Sequence, residues 1–112
     1  MNDTELLKLA AKATVYKGHY YAFEMSGESG IVDGEDCDSG FWNPLVNDAD
    51  TFRLENALIF DVRHTPVAVL VGLSTDQYKW HHELLADHNN DRNKARRYAS
   101  TRLAAEIGRA ME

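Results

Sequence analysis

The densest group of side chains able to bind a metal ion or transfer a proton lies in one short stretch. Imidazole nitrogens and carboxylate oxygens both bind zinc. The spacing differs from the His-Glu-x-x-His of zinc proteases, and in a strand adjacent side chains would point to opposite faces. A helix would instead bring early and late members of the group together. The stretch contains His81, His82, Glu83, Asp87 and His88.

Two interpretations of these histidines remain open at this point. In the first, His81, His82 and His88 are the ligands of a metal-dependent enzyme. In the second, they are surface residues, one of which packs beside aromatic side chains. Because their spacing matches no common ligand pattern, we favour the second and expect no catalytic residue, no metal and no cofactor.

A second candidate site combines a tryptophan, a turn and two arginines. Trp42 should bury most of its indole, and Pro44 disfavours helix at Asn43, so that the chain turns there. Buried aromatic residues usually belong to a core, which makes a structural role the simpler interpretation. The candidate binding residues are Trp42, Asn43, Pro44, Arg53 and Arg96.

The absence of several sequence motifs argues against several classes of protein. The sequence has no Gly-x-x-x-x-Gly-Lys phosphate loop, no Gly-x-Ser-x-Gly nucleophile turn and no Gly-x-Gly-x-x-Gly dinucleotide motif. Cys37 is the only cysteine, so no disulfide can form within the chain. The first residues lack the features of a signal peptide, and the longest apolar run, 67–73, is too short to cross a bilayer. We expect a reducing, cytoplasmic setting and no membrane contact.

Charge is unevenly distributed along the chain. The 112 residues carry a net charge of −6. The segment from Glu24 to Asp61 contains ten carboxylates and only one cation, Arg53. The last predicted helix is basic. The simpler interpretation is that these two surfaces face each other, within the chain or across a dimer, and the alternative is an anionic partner. An acidic protein repels polyanions at long range, so nucleic acid is not the expected partner. The basic residues of that helix are Arg92, Lys94, Arg96, Arg97, Arg102 and Arg109.

Apolar periodicity predicts three helices in a single domain of residues 1–112. The first begins at a cap formed by Asp3 or Thr4 and runs to about residue 15, before Gly18. The second covers 48–58, with Asn47 or Asp48 as its cap. Its apolar positions are Leu54, Ala57 and Leu58, with Phe52 on a flank.

The third helix, from about 92 to 111, is the longest predicted element. Its cap is Asn90 or Asp91, and Arg96 lies near its buried face, so that we expect Arg96 to reach a carboxylate or to extend into solvent. The apolar residues that define that face are Ala95, Ala99, Leu103, Ile107 and Ala110.

Alternating and apolar runs predict the strands. One covers 19–25 with a short return at 31–32, followed by a polar loop over 33–40. The runs 59–63 and 67–73 form a predicted antiparallel hairpin, and the second is apolar on both faces, as expected for a central strand covered on each side by helices. Residues 78–84 fit a strand better than a helix. These elements predict an α/β (α+β) fold, a three-layer α-β-α sandwich with a mainly antiparallel sheet and a long C-terminal helix.

Three segments in sequence order resemble a known family. They are Leu6 to Ala13, Trp42 to Leu54 and Ala104 to Ala110. Together they resemble small bacteriophage and prophage proteins that share a phage α-β-α sandwich domain. The resemblance implies a fold and a phage origin, and it implies no reaction, because folds do not determine function.

These observations favour a small phage or prophage accessory protein that acts by binding, not catalysis. We expect a homodimer in the cytoplasm of the host bacterium, with a host or phage protein as a possible partner. One alternative is an inhibitor of a host factor that uses the acidic region 24–61 as a decoy. The metal-dependent enzyme built on the histidines is the other.

Overall fold

The structure, a computed structural model, describes residues 2–14, 19–22, 29–32, 41–73 and 80–111. It combines helices with antiparallel strands, which confirms the α+β class. The helices are α1 (Asp3–Ala13), α2 (Asp48–Leu58) and α3 (Arg92–Ala110), with a short 3₁₀ helix at Leu85–His88. The strands are β1 (His19–Ala22), β2 (Ser29–Val32), β3 (Phe60–His64), β4 (Ala68–Leu73) and β5 (Trp80–Leu84).

The larger sheet has the order β3-β4-β5, with antiparallel pairing throughout. The predicted hairpin and the central position of β4 are confirmed, and so is the strand over 80–84. Val71 pairs with His81 and Val69 with Glu83, so these four side chains share one face of the sheet. On the opposite face, the Trp80 ring covers Gly72, where a Cβ atom would lie 2.7 Å from it.

α3 contributes to both apolar clusters of the core. Ala95, Ala99 and Leu103 pack against Val69 and Val71 of the sheet, as predicted. Ile107 is partly buried and packs against both clusters, as predicted, but Ala110 is exposed, so the prediction was wrong at the last position of this face. A second buried face, which periodicity did not indicate, packs towards α1, α2 and the turn at residues 42–46, called the Trp42 turn below. It contains Ser100, Thr101, Ala104, Ala105 and Gly108.

The described contacts therefore place α3 between the sheet and the pair α1 and α2. α1 lies so close to α3 that a Cβ atom on Gly108 would collide with the carbonyl oxygen of Leu9. Small residues on α3 permit this approach. The sandwich prediction placed the sheet, not a helix, in the middle, and three layers in that order do not follow from these contacts.

Each long helix begins at a side-chain cap. Asn47 and Asp91 accept hydrogen bonds from the amides of Asp50 and Lys94, as predicted. The first helix departs from the prediction, since Asn2, not Asp3 or Thr4, is its cap, and it ends at Ala13. An aspartate in the first turn still interacts favourably with the helix dipole.

α2 buries a more polar face than the apolar pattern predicted. Its buried residues include Leu54, as expected, but Ala57 is exposed. The helix ends at Ile59, which adopts a left-handed conformation (φ 57°), so β3 begins one residue later than predicted. The other buried residues of α2 are Asp50, Thr51 and Glu55.

Several predictions fall on residues outside the described ranges. They are the end of the first helix near Gly18, the strand beyond Ala22, the polar loop 33–40 with Cys37, and the first residues of the 78–84 strand.

Candidate functional site

The Trp42 turn is part of the core. Trp42 is 8% exposed, and its backbone N–H and C=O pair with Ile31 at 2.8 and 2.9 Å. Asn43, 5% exposed, donates from Nδ2 to the Ser29 carbonyl and accepts from the Leu45 amide through Oδ1, at 2.9 and 3.0 Å. The geometry supports the structural interpretation of these residues over a binding role.

Asp50 and Thr51 join this turn to the start of α2. Asp50 Oδ2 accepts from the Asn43 amide at 2.9 Å, and Thr51 donates to the Pro44 carbonyl at 2.6 Å. Arg53, whose side chain is 75% exposed, lies 3.3 Å from the other Asp50 oxygen. Exposed pairs of this kind contribute little to stability, so Arg53 is linked to Asn43 through Asp50 without being part of the core.

Arg96 reaches a buried carboxylate, as its position on α3 predicted. Its Nε and Nη2 atoms lie 3.0 and 2.7 Å from the two oxygens of Glu55, and Ser100 donates to the same carboxylate at 2.6 Å. The hydrogen bond with Glu55 raises the pKa of Arg96 above its ordinary value. This bidentate geometry makes the pair a fixed link between α2 and α3.

The acidic and basic surfaces meet within the chain. Arg97 pairs with Asp48 at 2.7 Å and donates to the Leu45 carbonyl. With the Arg96–Glu55 pair, this agrees with the simpler interpretation of the charge asymmetry for two of the four described carboxylates, Asp48 and Glu55. All four described carboxylates between Glu24 and Asp61 have internal partners, which leaves the decoy hypothesis only the acidic residues outside the described ranges.

Within the part of the chain that the structure describes, the most connected charged group is centred on Glu83, which is 5% exposed. His81 Nε2 lies 3.0 Å from its Oε2, and His88 Nε2 lies 2.7 Å from its Oε1. Arg102 Nη1 donates to both oxygens at 2.8 and 2.7 Å. We call these four residues the Glu83 cluster; it links β5, the 3₁₀ helix and α3.

The environment of Glu83 keeps it ionised. Burial alone would raise its pKa, but hydrogen bonds from His81 and His88 and the charge of Arg102 outweigh burial and lower the pKa from 4.5 to about 2. An ionised carboxylate only accepts hydrogen bonds. Both Nε2 atoms therefore carry hydrogen, and in neutral His81 the Nδ1 atom is an acceptor.

Aromatic and acidic groups complete the surroundings. The His88 and Tyr98 rings lie 5.1 Å apart, and the Arg102 guanidinium lies 5.3 Å from the Tyr98 ring centroid. Tyr98 donates to Asp3 at 3.0 Å. Burial, followed by this bond, raises the pKa of Tyr98.

The three histidines of the metal hypothesis do not converge. His81 and His88 meet only through Glu83, whereas β pairing places His82 on the opposite face of the sheet. Asp87 is exposed. Among the residues that the structure describes, no group of three or more His, Cys, Asp or Glu side chains is placed to hold a metal ion.

An open cleft of about 300 Å³ adjoins the Glu83 cluster. His81 and Glu106 both line it, with His81 Nδ1 4.0 Å from Oε1 of Glu106. Spacings of four and three place Arg102, Glu106 and Arg109 on one side of a helix, a signal that the prediction of a basic helix, with Arg102 and Arg109 among its charges, does not use. The cleft is lined by Leu6, His81, Arg102, Ala105, Glu106 and Arg109.

A smaller cleft of about 160 Å³ lies between α2 and α3. Its charged walls are Asp48, Glu55, Arg96 and Arg97, which already pair with one another. In the larger cleft, by contrast, the Arg109 guanidinium has no ion-pair partner among residues 2–14, 19–22, 29–32, 41–73 and 80–111. Open hydrogen-bonding capacity therefore lies in the larger cleft.

Comparisons with protein-family models, curated proteins and solved structures give no match for this chain. In the described part of the chain, no helix combines the length and apolar character needed to cross a membrane.

Proposed function

We propose that this chain is a small binding protein, not an enzyme, and that the cleft beside the Glu83 cluster is its ligand site. The observation that carries the proposal is the cleft lined by Glu106 and Arg109, in which Arg109 has no ion-pair partner among the described residues. Beside it, Glu83, with a pKa of about 2 and both oxygens occupied by three partners, is held as a fixed anion. Glu83 is therefore not itself a general acid or base, which must change protonation near the working pH.

The role of this anion is to hold two side chains that line the cleft, His81 and Arg102, in fixed orientations. A carboxylate that accepts from one nitrogen of an imidazole fixes the direction of the other nitrogen. The bond from Nε2 of His81 to Glu83 leaves Nδ1 on the side of Glu106, which lines the cleft, and Arg102 is held in place by the same carboxylate. A volume of about 300 Å³ is at the lower end of the range for small-molecule sites.

A fragment screen on ¹⁵N-labelled protein, followed by amide chemical shifts, tests this function. We expect at least one class of fragment to shift the amides of Leu6, Ala105 and Glu106 and to bind more weakly to Arg109→Gln. Arg53→Gln, which removes an exposed arginine on α2, is the matched control. Fragments that bind only elsewhere, or none that bind, would overturn the proposal.

The biological setting is part of the proposal. The resemblance to phage α-β-α sandwich proteins supports a phage or prophage accessory role in the host cytoplasm, with a three-layer fold. Genes flanking the coding sequence that belong to no phage or prophage would contradict that origin.

A homodimer also belongs to this proposal. Val46 precedes α2 and Phe52 lies on its first turns, and they expose 69% and 59% of their surfaces; apolar side chains in this part of the chain are available to a dimer interface. Light scattering after size-exclusion chromatography should give twice the chain mass at tens of micromolar. A monomer at that concentration would remove the dimer and leave the cleft proposal intact.

A further inference from the structure

The larger cleft carries a second inference, which rests on the proposed ligand site. We propose that it binds a small zwitterion of the α-amino-acid type, with Glu106 and His81 holding the ammonium group and Arg109 holding the carboxylate.

The acceptor half of this site comes from two atoms on one wall. His81 Nδ1 and Glu106 Oε1 lie 4.0 Å apart, too far for a direct hydrogen bond. A single ammonium group has three donors and can lie between two acceptors at this spacing. Because Glu83 holds the hydrogen of neutral His81 on Nε2, Nδ1 is an acceptor in that state.

The donor half is the Arg109 guanidinium, which is exposed and unpaired within the described residues. Residue 109 follows Glu106 by three positions on α3, about 4.5 Å along the axis and on the same side of the helix. A guanidinium binds a carboxylate through two parallel hydrogen bonds. An α-amino acid carries both of its charged groups on one carbon atom, which suits donors and acceptors this close together.

Charge balance favours a zwitterion over a simple ion. Arg102 is neutralised by Glu83, so Glu106 and Arg109 are the remaining opposite charges of the cleft. A simple anion would face Glu106, and a simple cation would face Arg109, each at an electrostatic cost. Leu6 and Ala105 supply an apolar floor for a side chain.

Four matched probes test the inference: L-leucine, N-acetyl-L-leucine, L-leucinamide and N-acetyl-L-leucinamide. Affinities come from amide shifts of ¹⁵N-labelled full-length protein. We expect L-leucine to bind best and loss of either charged group to weaken binding about tenfold or more, as for loss of a charge-assisted hydrogen bond. Glu106→Gln should abolish the preference for L-leucine over N-acetyl-L-leucine, and Arg109→Gln its preference over L-leucinamide.

The control variants are Asp87→Asn and Arg53→Gln, which remove exposed charges outside the cleft and should leave both preferences unchanged. Equal binding of all four probes, or preferences that survive both cleft substitutions, would overturn the zwitterion. If L-leucine shifts no cleft amide while other fragments do, this inference fails and the proposed binding function stands. If no probe or fragment shifts those amides, both fail.

Discussion

His88 Nε2 lies 2.7 Å from Oε1 of Glu83, and the two side chains expose only 7% and 6% of their surfaces. The contact joins the 3₁₀ helix to β5 inside the core. Because the carboxylate can only accept, His88 must donate, and the same holds for His81 and Arg102 on the remaining positions. Hydrogen-bond donors from β5, the 3₁₀ helix and α3 thus share one acceptor, the carboxylate of Glu83.

Replacement of that anion should be costly. Glu83→Gln keeps the shape but puts an amide NH₂ among donors, so it should lower the free energy of unfolding by about 3–5 kcal/mol, as for a broken buried ion pair. Urea unfolding followed by circular dichroism measures this change. Glu106→Gln, 63% exposed in the wild type, should change stability by less than about 0.5 kcal/mol. Equal effects of the two substitutions would contradict the central role of Glu83.

Acid should remove the same stabilisation. The pKa of Glu83 is lowered from 4.5 to about 2 on folding, so its contribution is fully present above pH 4.5 and is lost as the pH falls towards 2. The shift corresponds to about 3 kcal/mol. The stability difference between wild type and Glu83→Gln, measured by urea unfolding from pH 7 downwards, should shrink below pH 4.5. A difference that stays constant to the acid limit would refute this assignment.

The side-chain amide of Asn43 should be required for full stability of the fold. Asn43→Asp replaces the donor to the Ser29 carbonyl with an oxygen, which should cost about 2 kcal/mol because two acceptors then face each other in the core. Thermal unfolding measures the effect. Asn47→Asp is the control, since aspartate caps a helix as well as asparagine, and it should be nearly neutral. A neutral Asn43→Asp would show that the turn tolerates the loss of this bond.

Gly108 should resist a substitution that usually helps helices. Gly→Ala within a helix ordinarily stabilises by about 1 kcal/mol. Here the new Cβ would collide with the Leu9 backbone, so Gly108→Ala should destabilise by about 1–3 kcal/mol, as overpacking does. Chemical denaturation, with the exposed substitution Glu106→Ala as reference, measures it. Any gain in stability would mean that α1 and α3 are less closely packed.

The Arg96 and Glu55 pair should be energetically coupled. A double-mutant cycle with Arg96→Gln and Glu55→Gln should give a coupling of at least about 1 kcal/mol, since Glu55 is buried and the contact is bidentate. The exposed Arg63–Asp61 pair, 3.6 Å apart, should give less than about 0.5 kcal/mol. Comparable couplings in the two cycles would show that burial adds nothing.

Residue type and the spacing of apolar residues correctly predicted the features that are determined by residues close together in the sequence. The hairpin of β3 and β4, the long α3, the burial of Trp42 and the reach of Arg96 to a carboxylate all follow from residue type and spacing. Each of these features is decided by neighbours in sequence or by a single apolar face.

Contacts distant in sequence decided the rest. Ser100 is buried because Glu55, 45 residues away, accepts its hydroxyl, and polar type alone predicts exposure for both. Glu83 is buried because donors arrive from two other elements. The cleft had a usable signal, since positions 102, 106 and 109 share one side of α3, but only the pairing of β5 places His81 opposite them.

The position of α3 between the two apolar clusters also affects biosynthesis. Translation produces α3 after every other described element. A nascent chain therefore contains the other residues of both apolar clusters before α3, which packs between them, has been synthesised. Until α3 has been synthesised, apolar residues such as Leu54 and Val71 cannot be fully buried, and they can aggregate with those of other chains. Folding of this domain should therefore wait until α3 has left the ribosome.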